Sequence, residues 1–251
     1  MANPYETDKL VAEYLLLHYG EPAQVFPYGF GPREALGFPV RCVHELAQPQ
    51  PGSTALELGC AVGRAAFELS RTCSRVVAID YSQAFIQAAQ RMAYQREVAF
   101  RVPDEGELTT ECQARLSDEM HPERVEFEVG DATALRADLG SFDLVLAANL
   151  LCRLPDPQRL LSRLPELVNP GGRLVITSPY TWMEEYTPRS RWLGGFHRDG
   201  EAVRSLSSLQ AALADSFQLD ETRDVPFLIR EHARKYQWSV AQASLWRRAG
   251  A

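Results

Sequence analysis

No apolar run in this 251-residue chain is long enough to span a bilayer, and its first residues mix acidic and polar side chains where a secretion signal would need an apolar core. The expectation is a soluble, cytoplasmic protein. Cysteine is scarce and odd in number: the five residues Cys42, Cys60, Cys73, Cys112 and Cys152 are scattered and lack metal-ligand spacing. That argues against a disulfide scaffold and a structural metal and suits a reducing compartment. An excess of positive charge is missing too. With a formal charge of −7, nothing draws the chain generally to polyphosphate, so a nucleic-acid partner would need a local basic patch and a small-molecule substrate is expected instead. Repeats, low-complexity tracts and interdomain linkers are also absent.

What is present is an alternation of strand and helix patterns, which predicts an α/β fold whose right-handed crossovers make the sheet mostly parallel. Strands are expected at 54–59, 75–80, 125–130, 142–148 and 173–178, and helices at 63–72, 82–95, 157–168 and near 205–215. Runs at 225–230 and 237–246 would complete the sheet as an antiparallel hairpin. One domain over 1–251 is expected, with residues 1–48 as an N-terminal helical lid. In that lid, residues 8–19 place Leu10, Val11, Tyr14, Leu15 and His18 on one helical face, between Thr7 as N-cap and Gly20 as stop. Residues 21–37 are rich in glycine and proline, and their aromatics Tyr28 and Phe30 are candidates to face a ligand before a helix begins at Phe38-Pro39. The stretch 97–124 alternates around Pro103-Asp-Glu-Gly106 as a hairpin insertion would, and 180–204 is a candidate substrate loop.

The chemistry gathers where the first strands end. Residues 54–63 read as a buried strand that carries Glu57 and runs into a glycine turn, and Val76-Val77-Ala78-Ile79 ends in Asp80, placed to hold the two hydroxyls of a ribose. A nucleoside cofactor is therefore expected. Gly59 and Gly63 are separated by Cys60, Ala61 and Val62, so the central glycine that lets a backbone approach a pyrophosphate is missing. Asp80 and Asp131 could equally be strand-end carboxylates capping the next turn.

Glu57-Leu-Gly-Cys-x-x-Gly63 resembles the first motif of class I S-adenosylmethionine-dependent methyltransferases. Gly130-Asp131-Ala132, Phe142-Asp143 through Asn149, and Asn169-Pro-Gly-Gly172 resemble that family's adenine segment, fourth strand and turn into the fifth strand, in the right order. The resemblance implies a Rossmann-like seven-stranded sheet and S-adenosylmethionine as cofactor. Residues 5–20, Gly37-Phe-Pro-Val-Arg41, Ala147 to Leu154, Thr177 to Pro188, Trp192 to Gly195 and Pro226 to Glu231 are similar to the methyltransferase half of ovothiol synthases, which methylates a ring nitrogen of 5-thiohistidine (4-mercaptohistidine). Members are often fused to an iron-dependent sulfoxide synthase. This sequence carries no such half, so it would act as a stand-alone enzyme on thiohistidine made by a separate synthase.

Site residues follow from the motifs and the resemblance. Glu57, Gly59, Cys60 through its backbone, Gly63, Asp80, Tyr81, Asp131, Ala132 and Asn149 would line the cofactor, with Tyr14 and Arg41 as candidates for its methionine carboxylate. The plainer alternative for that pair is a core tyrosine and an exposed arginine. Thiohistidine needs paired charges and aromatic walls. Tyr180, Trp182, Tyr186 and Trp192 would wall the imidazole, Glu184 or Glu185 would bind the ammonium or accept the ring proton, and Arg153 or Arg230 would take the carboxylate. Asn149 would stand near the transferred methyl. His18 could approach the site or simply pack. Methylation of another small amine or acid, and a non-catalytic cofactor-binding module, remain the alternatives.

Overall fold

The computed structural model describes residues 4–250, so the first three residues of the lid segment and the last residue of the chain lie outside the described residues. Helices α1 (Asp8–Tyr19), α2 (Pro22–Val25) and α3 (Phe38–Arg41) come first, and α3 runs on as a π-helical segment to Ala47. Strand β1 (Thr54–Leu58), α4 (Arg64–Ser70), β2 (Arg75–Asp80) and α5 (Gln83–Gln95) follow. Next come β3 (Glu97–Glu105), β4 (Leu108–Arg115), β5 (Val125–Val129), β6 (Phe142–Ala148), α6 (Pro157–Leu167) and β7 (Val168–Ser178). The chain closes with β8 (Phe196–Arg198), β9 (Glu201–Val203), α7 (Ser205–Leu213), β10 (Phe217–His232) and β11 (Lys235–Arg248).

Seven strands form one sheet in the order β10-β11-β7-β6-β1-β2-β5. The five from β7 to β5 are parallel, and β11 and β10 join antiparallel, as expected from the sequence. The apolar runs in β1, β2 and β6 are buried from both faces, by α6 and α7 on one side and by α3, α4 and α5 on the other. Because β1 lies between β2 and β6, the chain leaves it in opposite directions at the carboxyl edge, which opens the crevice where open α/β sheets bind ligands. Leu58, Asp80 and Ala148 all end there.

The helix over 8–19 forms with Thr7 as its N-cap, its side chain accepting from the Leu10 amide at 3.3 Å. Its burial differs from the single face expected. Val11 and Leu15 are buried, but so are Ala12, Glu13, Leu16 and Tyr19, because the β3–β4 hairpin and β10 pack on the helix as well as α5. The 97–124 insertion is thus a hairpin, and its Val98, Phe100, Cys112 and Ala114 share a core with α1.

Candidate functional site

The turn after β1 is held in a conformation few sequences accept. Gly59, Ala61 and Gly63 all have positive φ, at 74°, 47° and 85°. A Cβ on Gly63 would meet two Phe127 ring atoms at 2.8 Å. We therefore expect Gly63→Ala to lower the unfolding free energy by about 2–4 kcal/mol, combining left-handed backbone strain with overpacking. Urea titration checks this, and an unchanged midpoint would mean that the Phe127 ring simply moves aside.

Asp80 clamps the turn from β2: Oδ2 accepts from the Ala61 amide at 2.8 Å and Oδ1 from the Ser82 amide at 2.8 Å. Burial raises its pKa despite these bonds. Below the turn, Glu57 is buried, Oε2 has no hydrogen-bond partner, and burial with the nearby Asp80 charge pushes its pKa up to about 8. A buried, unpaired carboxylate oxygen is what a cationic ammonium would satisfy. Asp131 accepts through Oδ1 from the Thr133 amide and hydroxyl at 2.7 and 2.8 Å, an Asx turn like the capping alternative. Tyr81 stands 67% exposed beside Asp80, its ring available to lie along a ligand. This set of carboxylates and glycines fits an adenosyl sulfonium that carries a ribose diol and an ammonium.

Across the crevice, Asn149 follows β6 with φ 54°. Its amide nitrogen donates to the Thr177 carbonyl at 2.9 Å, and its Oδ1 accepts from the Thr177 hydroxyl at 2.9 Å. Thr177, fully buried at the end of β7, was not picked out from the sequence, although a polar residue closing the run Leu174-Val175-Ile176 marks it. Arg153 lies half-buried with its guanidinium 4.6 Å from the Tyr186 ring centroid. It donates to the Cys152 and Thr181 carbonyls at 3.2 and 3.1 Å, and no carboxylate pairs with it among the described residues. Burial alone would lower its pKa, but Cys152, Tyr5 and Tyr186 hold it raised.

Tyr5 is the second residue the sequence reading missed. Its ring stacks on Tyr186 at 6.5 Å and packs against Tyr14 and Phe85, joining α1 and α5 to the loop after β7. Burial pushes Tyr186 and Tyr180 up to about 12, so both phenols stay protonated donors.

Among known proteins, a family model described as "Methyltransferase domain" matches residues 56–176. This segment, just under half of the chain, is similar to a methyltransferase domain. Among curated relatives, the 2-methyl-6-phytyl-1,4-hydroquinone methyltransferase of Synechocystis is 27% identical over 76% of this chain and 55% of its own length. The ubiquinone biosynthesis O-methyltransferase of Coxiella burnetii is 25% identical over 51% of this chain and 44% of its own. An uncharacterized transposon protein of Streptomyces fradiae is 31% identical over 52% of this chain and 31% of its own. The chain thus spans from about a third to just over half of the curated relatives it matches. Two solved structures share the fold. The N-methyltransferase NodS of Bradyrhizobium japonicum, in complex with S-adenosyl-L-homocysteine, has TM-score 0.50 at 16% identity, over 83% of this chain and 82% of that one. The YcgJ protein of Bacillus subtilis has TM-score 0.55 at 14% identity, over 85% and 98%.

Several candidates from the sequence turn out to be committed elsewhere. Arg41 donates to the Leu36 carbonyl at 3.0 Å and to the Pro226 carbonyl, tying α3 to β10, which leaves it a structural tie in place of a cofactor ligand. Arg230 is buried against the Gln24 carbonyl and the Asp104 carboxylate, pinning the hairpin insertion to β10, so its charge is already matched. Tyr28 donates to the Ala233 carbonyl at 3.0 Å and packs with Phe26 and Tyr236 at the tip of the C-terminal hairpin, and Phe30 beside it is 75% exposed. Glu184 and Glu185 sit exposed on the turn between Met183 and Thr187. Trp182 and Trp192 stack at 6.5 Å, and their indole N–H groups donate to Ser205 and to the Thr187 carbonyl, so they anchor the loop as well as wall it. Tyr180 reaches Gln242 on β11 at 3.2 Å. Cys60 and Ala132 are buried, with only backbone to offer, and Tyr14 packs against Phe85 at 4.7 Å with its phenol held protonated by burial. Among the described residues no metal-binding cluster occurs and no helix is long and apolar enough to cross a membrane.

Proposed function

We propose that the protein transfers the methyl group of S-adenosylmethionine to a ring nitrogen of 5-thiohistidine, giving ovothiol A. The observation that carries this reading is Arg153, a half-buried cation with no acidic partner among the described residues, set against Tyr186 beside the crevice. A desolvated charge without a counterion is costly, and an amino-acid carboxylate offsets that cost. The aromatic loop and the segment resemblance to ovothiol synthases supply the imidazole.

The sulfonium supplies an electrophilic methyl and a neutral leaving thioether. The chain's own residues then have three tasks. Asp80, Glu57 and Asp131 hold the donor, Arg153 orients the acceptor, and Tyr5, Tyr14 and Phe85 exclude water between them. Alignment of this kind can supply about 7–11 kcal/mol of the barrier. The attacking nitrogen must present a free lone pair, so the acceptor gives up one ring proton to solvent and the displacement then needs no side-chain base, in keeping with the exposure of Glu184 and Glu185.

The test is mass spectrometry of protein, S-adenosylmethionine and thiohistidine, with histidine and a hydroquinone in parallel tubes and NMR to place the methyl. A ring N-methyl product from thiohistidine alone is expected. A main S-methyl product, or turnover of the hydroquinone only, would transfer the assignment to another acceptor. The second of these is favoured by relatives named for hydroquinone methylation and ubiquinone biosynthesis. Arg153→Gln should raise the acceptor KM about 10–100-fold through loss of a charge-assisted bond, with the KM for S-adenosylmethionine unchanged.

A further inference from the structure

The carboxyl end of α1 is fastened to the cofactor turn by polar contacts. The Tyr19 hydroxyl donates to the Val62 carbonyl at 2.7 Å, in a buried setting. His18 Nδ1 accepts from the Arg64 amide at 3.4 Å, Arg64 returns a bond from its guanidinium to the His18 carbonyl at 3.2 Å, and that guanidinium lies 5.5 Å from the Tyr19 ring centroid. Glu68 fixes Arg64 from the other side at 2.9 Å. The residue preceding Arg64 is Gly63, which has no side chain to cap the amides that open α4, so His18 takes one from a separate element.

We propose that His18 and Tyr19 are positioning residues for cofactor binding, clasping the turn of Gly59 to Gly63 so that the seating of α1 sets the affinity for S-adenosylmethionine. The turn has reason to need such a clasp. Ala61 holds a left-handed φ of 47° that an alanine adopts only under constraint. Asp80 holds one end of the turn through the Ala61 amide, and the clasp holds the other through Val62 and Arg64. Tyr19, Ala61 and Val62 also pack together inward, while on the outer side a cavity of about 190 Å³ lined by His18, Tyr19, Val40 and Arg64 leaves the polar contacts as the fastening there. Burial and the Arg64 charge push the His18 pKa down to about 3, so the Nδ1 lone pair stays available at any physiological pH. The proposal draws only on the cofactor assignment and is independent of the acceptor.

The experiment is calorimetric titration of S-adenosylhomocysteine into the full chain, with thermal unfolding recorded alongside. Tyr19→Phe and His18→Leu should each weaken binding about 5–10-fold, the worth of one buried hydrogen bond. His18→Asn, whose amide oxygen can take the place of Nδ1, should stay within about twofold. With turnover, the KM for S-adenosylmethionine should rise while kcat and the acceptor KM hold. A merely structural role would lower the unfolding temperature and leave the dissociation constants as they are, and that result overturns the proposal. Should His18→Leu fail to fold, Tyr19→Phe and Arg64→Met, which removes the return bond from a more exposed side chain, decide the matter by the same criterion. Because the titration contains no acceptor, failure of thiohistidine turnover and failure of the clasp are separate outcomes.

Discussion

Asp80→Ala should weaken S-adenosylhomocysteine binding by about 100-fold or more and lower the stability of the ligand-free protein by about 2–4 kcal/mol. Both effects have one origin. The carboxylate accepts from the Ala61 amide with one oxygen and from the Ser82 amide with the other, so it joins the glycine turn to the start of α5. Each such bond to a charged acceptor is worth about 1.5–3 kcal/mol, and its removal leaves a part-buried N–H unpaired. The expected ribose contact is lost in the same step. Asp80→Asn separates the contributions: one oxygen remains to accept, but the amide nitrogen must face an N–H, so affinity should fall less than in Asp80→Ala while still falling by about tenfold. Calorimetry of both variants checks the order. Wild-type affinity in Asp80→Ala would reduce Asp80 to a turn-capping residue and move the ribose site elsewhere.

The elements were legible where burial is complete and local. Strand β6 falls at 142–148 as read, because both of its faces are covered and an uninterrupted apolar run has no other stable use. The glycine turn and Asp80 were legible for a similar reason, since positive φ and a carboxylate at a strand end are both properties of a few adjacent residues. The destinations of the arginines were not. Arg41 meets Pro226 across 185 residues and Arg230 meets Gln24 across 206, and no short-range pattern tells a guanidinium bound to a distant carbonyl from one awaiting a ligand. Arg153 looked no different from them in sequence, and what separates it in the fold is that no acid pairs with it among the described residues. The second buried stripe of α1 was hidden likewise, because what covers it is the hairpin insertion and β10. One miss had a local signal: Asp199-Gly200, both with positive φ, makes the two-residue turn of the β8–β9 hairpin within the stretch 180–204 read as a substrate loop.

Glu57→Gln should make the ligand-free protein more stable above neutral pH and a poorer binder of its cofactor. The wild-type carboxyl is buried beside Asp80 with Oε2 unpaired among the described residues, and burial with the Asp80 charge pushes its pKa from the ordinary 4.5 up to about 8. Between these values the folded state keeps a proton that the unfolded chain has released. The unfolding free energy therefore falls as pH rises through that window, by up to about 1.4 kcal/mol per pH unit, and is level above it. Asp80, also raised by burial, adds to the same slope. In Glu57→Gln the Glu57 part of the slope disappears, so urea midpoints measured from pH 5.5 to 8.5 should decline less than those of the wild type. Parallel curves would mean that Glu57 is already ionised and solvated near neutrality. Binding shows the other face of the same group. A cofactor ammonium near Oε2 would favour the carboxylate, so association near pH 7 should release about one proton, read as a difference in binding heat between phosphate and Tris buffers. The glutamine variant should release almost none and bind more weakly. The stability that the buried Glu57 costs the empty domain would then be recovered when the cationic donor arrives, which couples occupancy of the crevice to the stability of the turn beneath it.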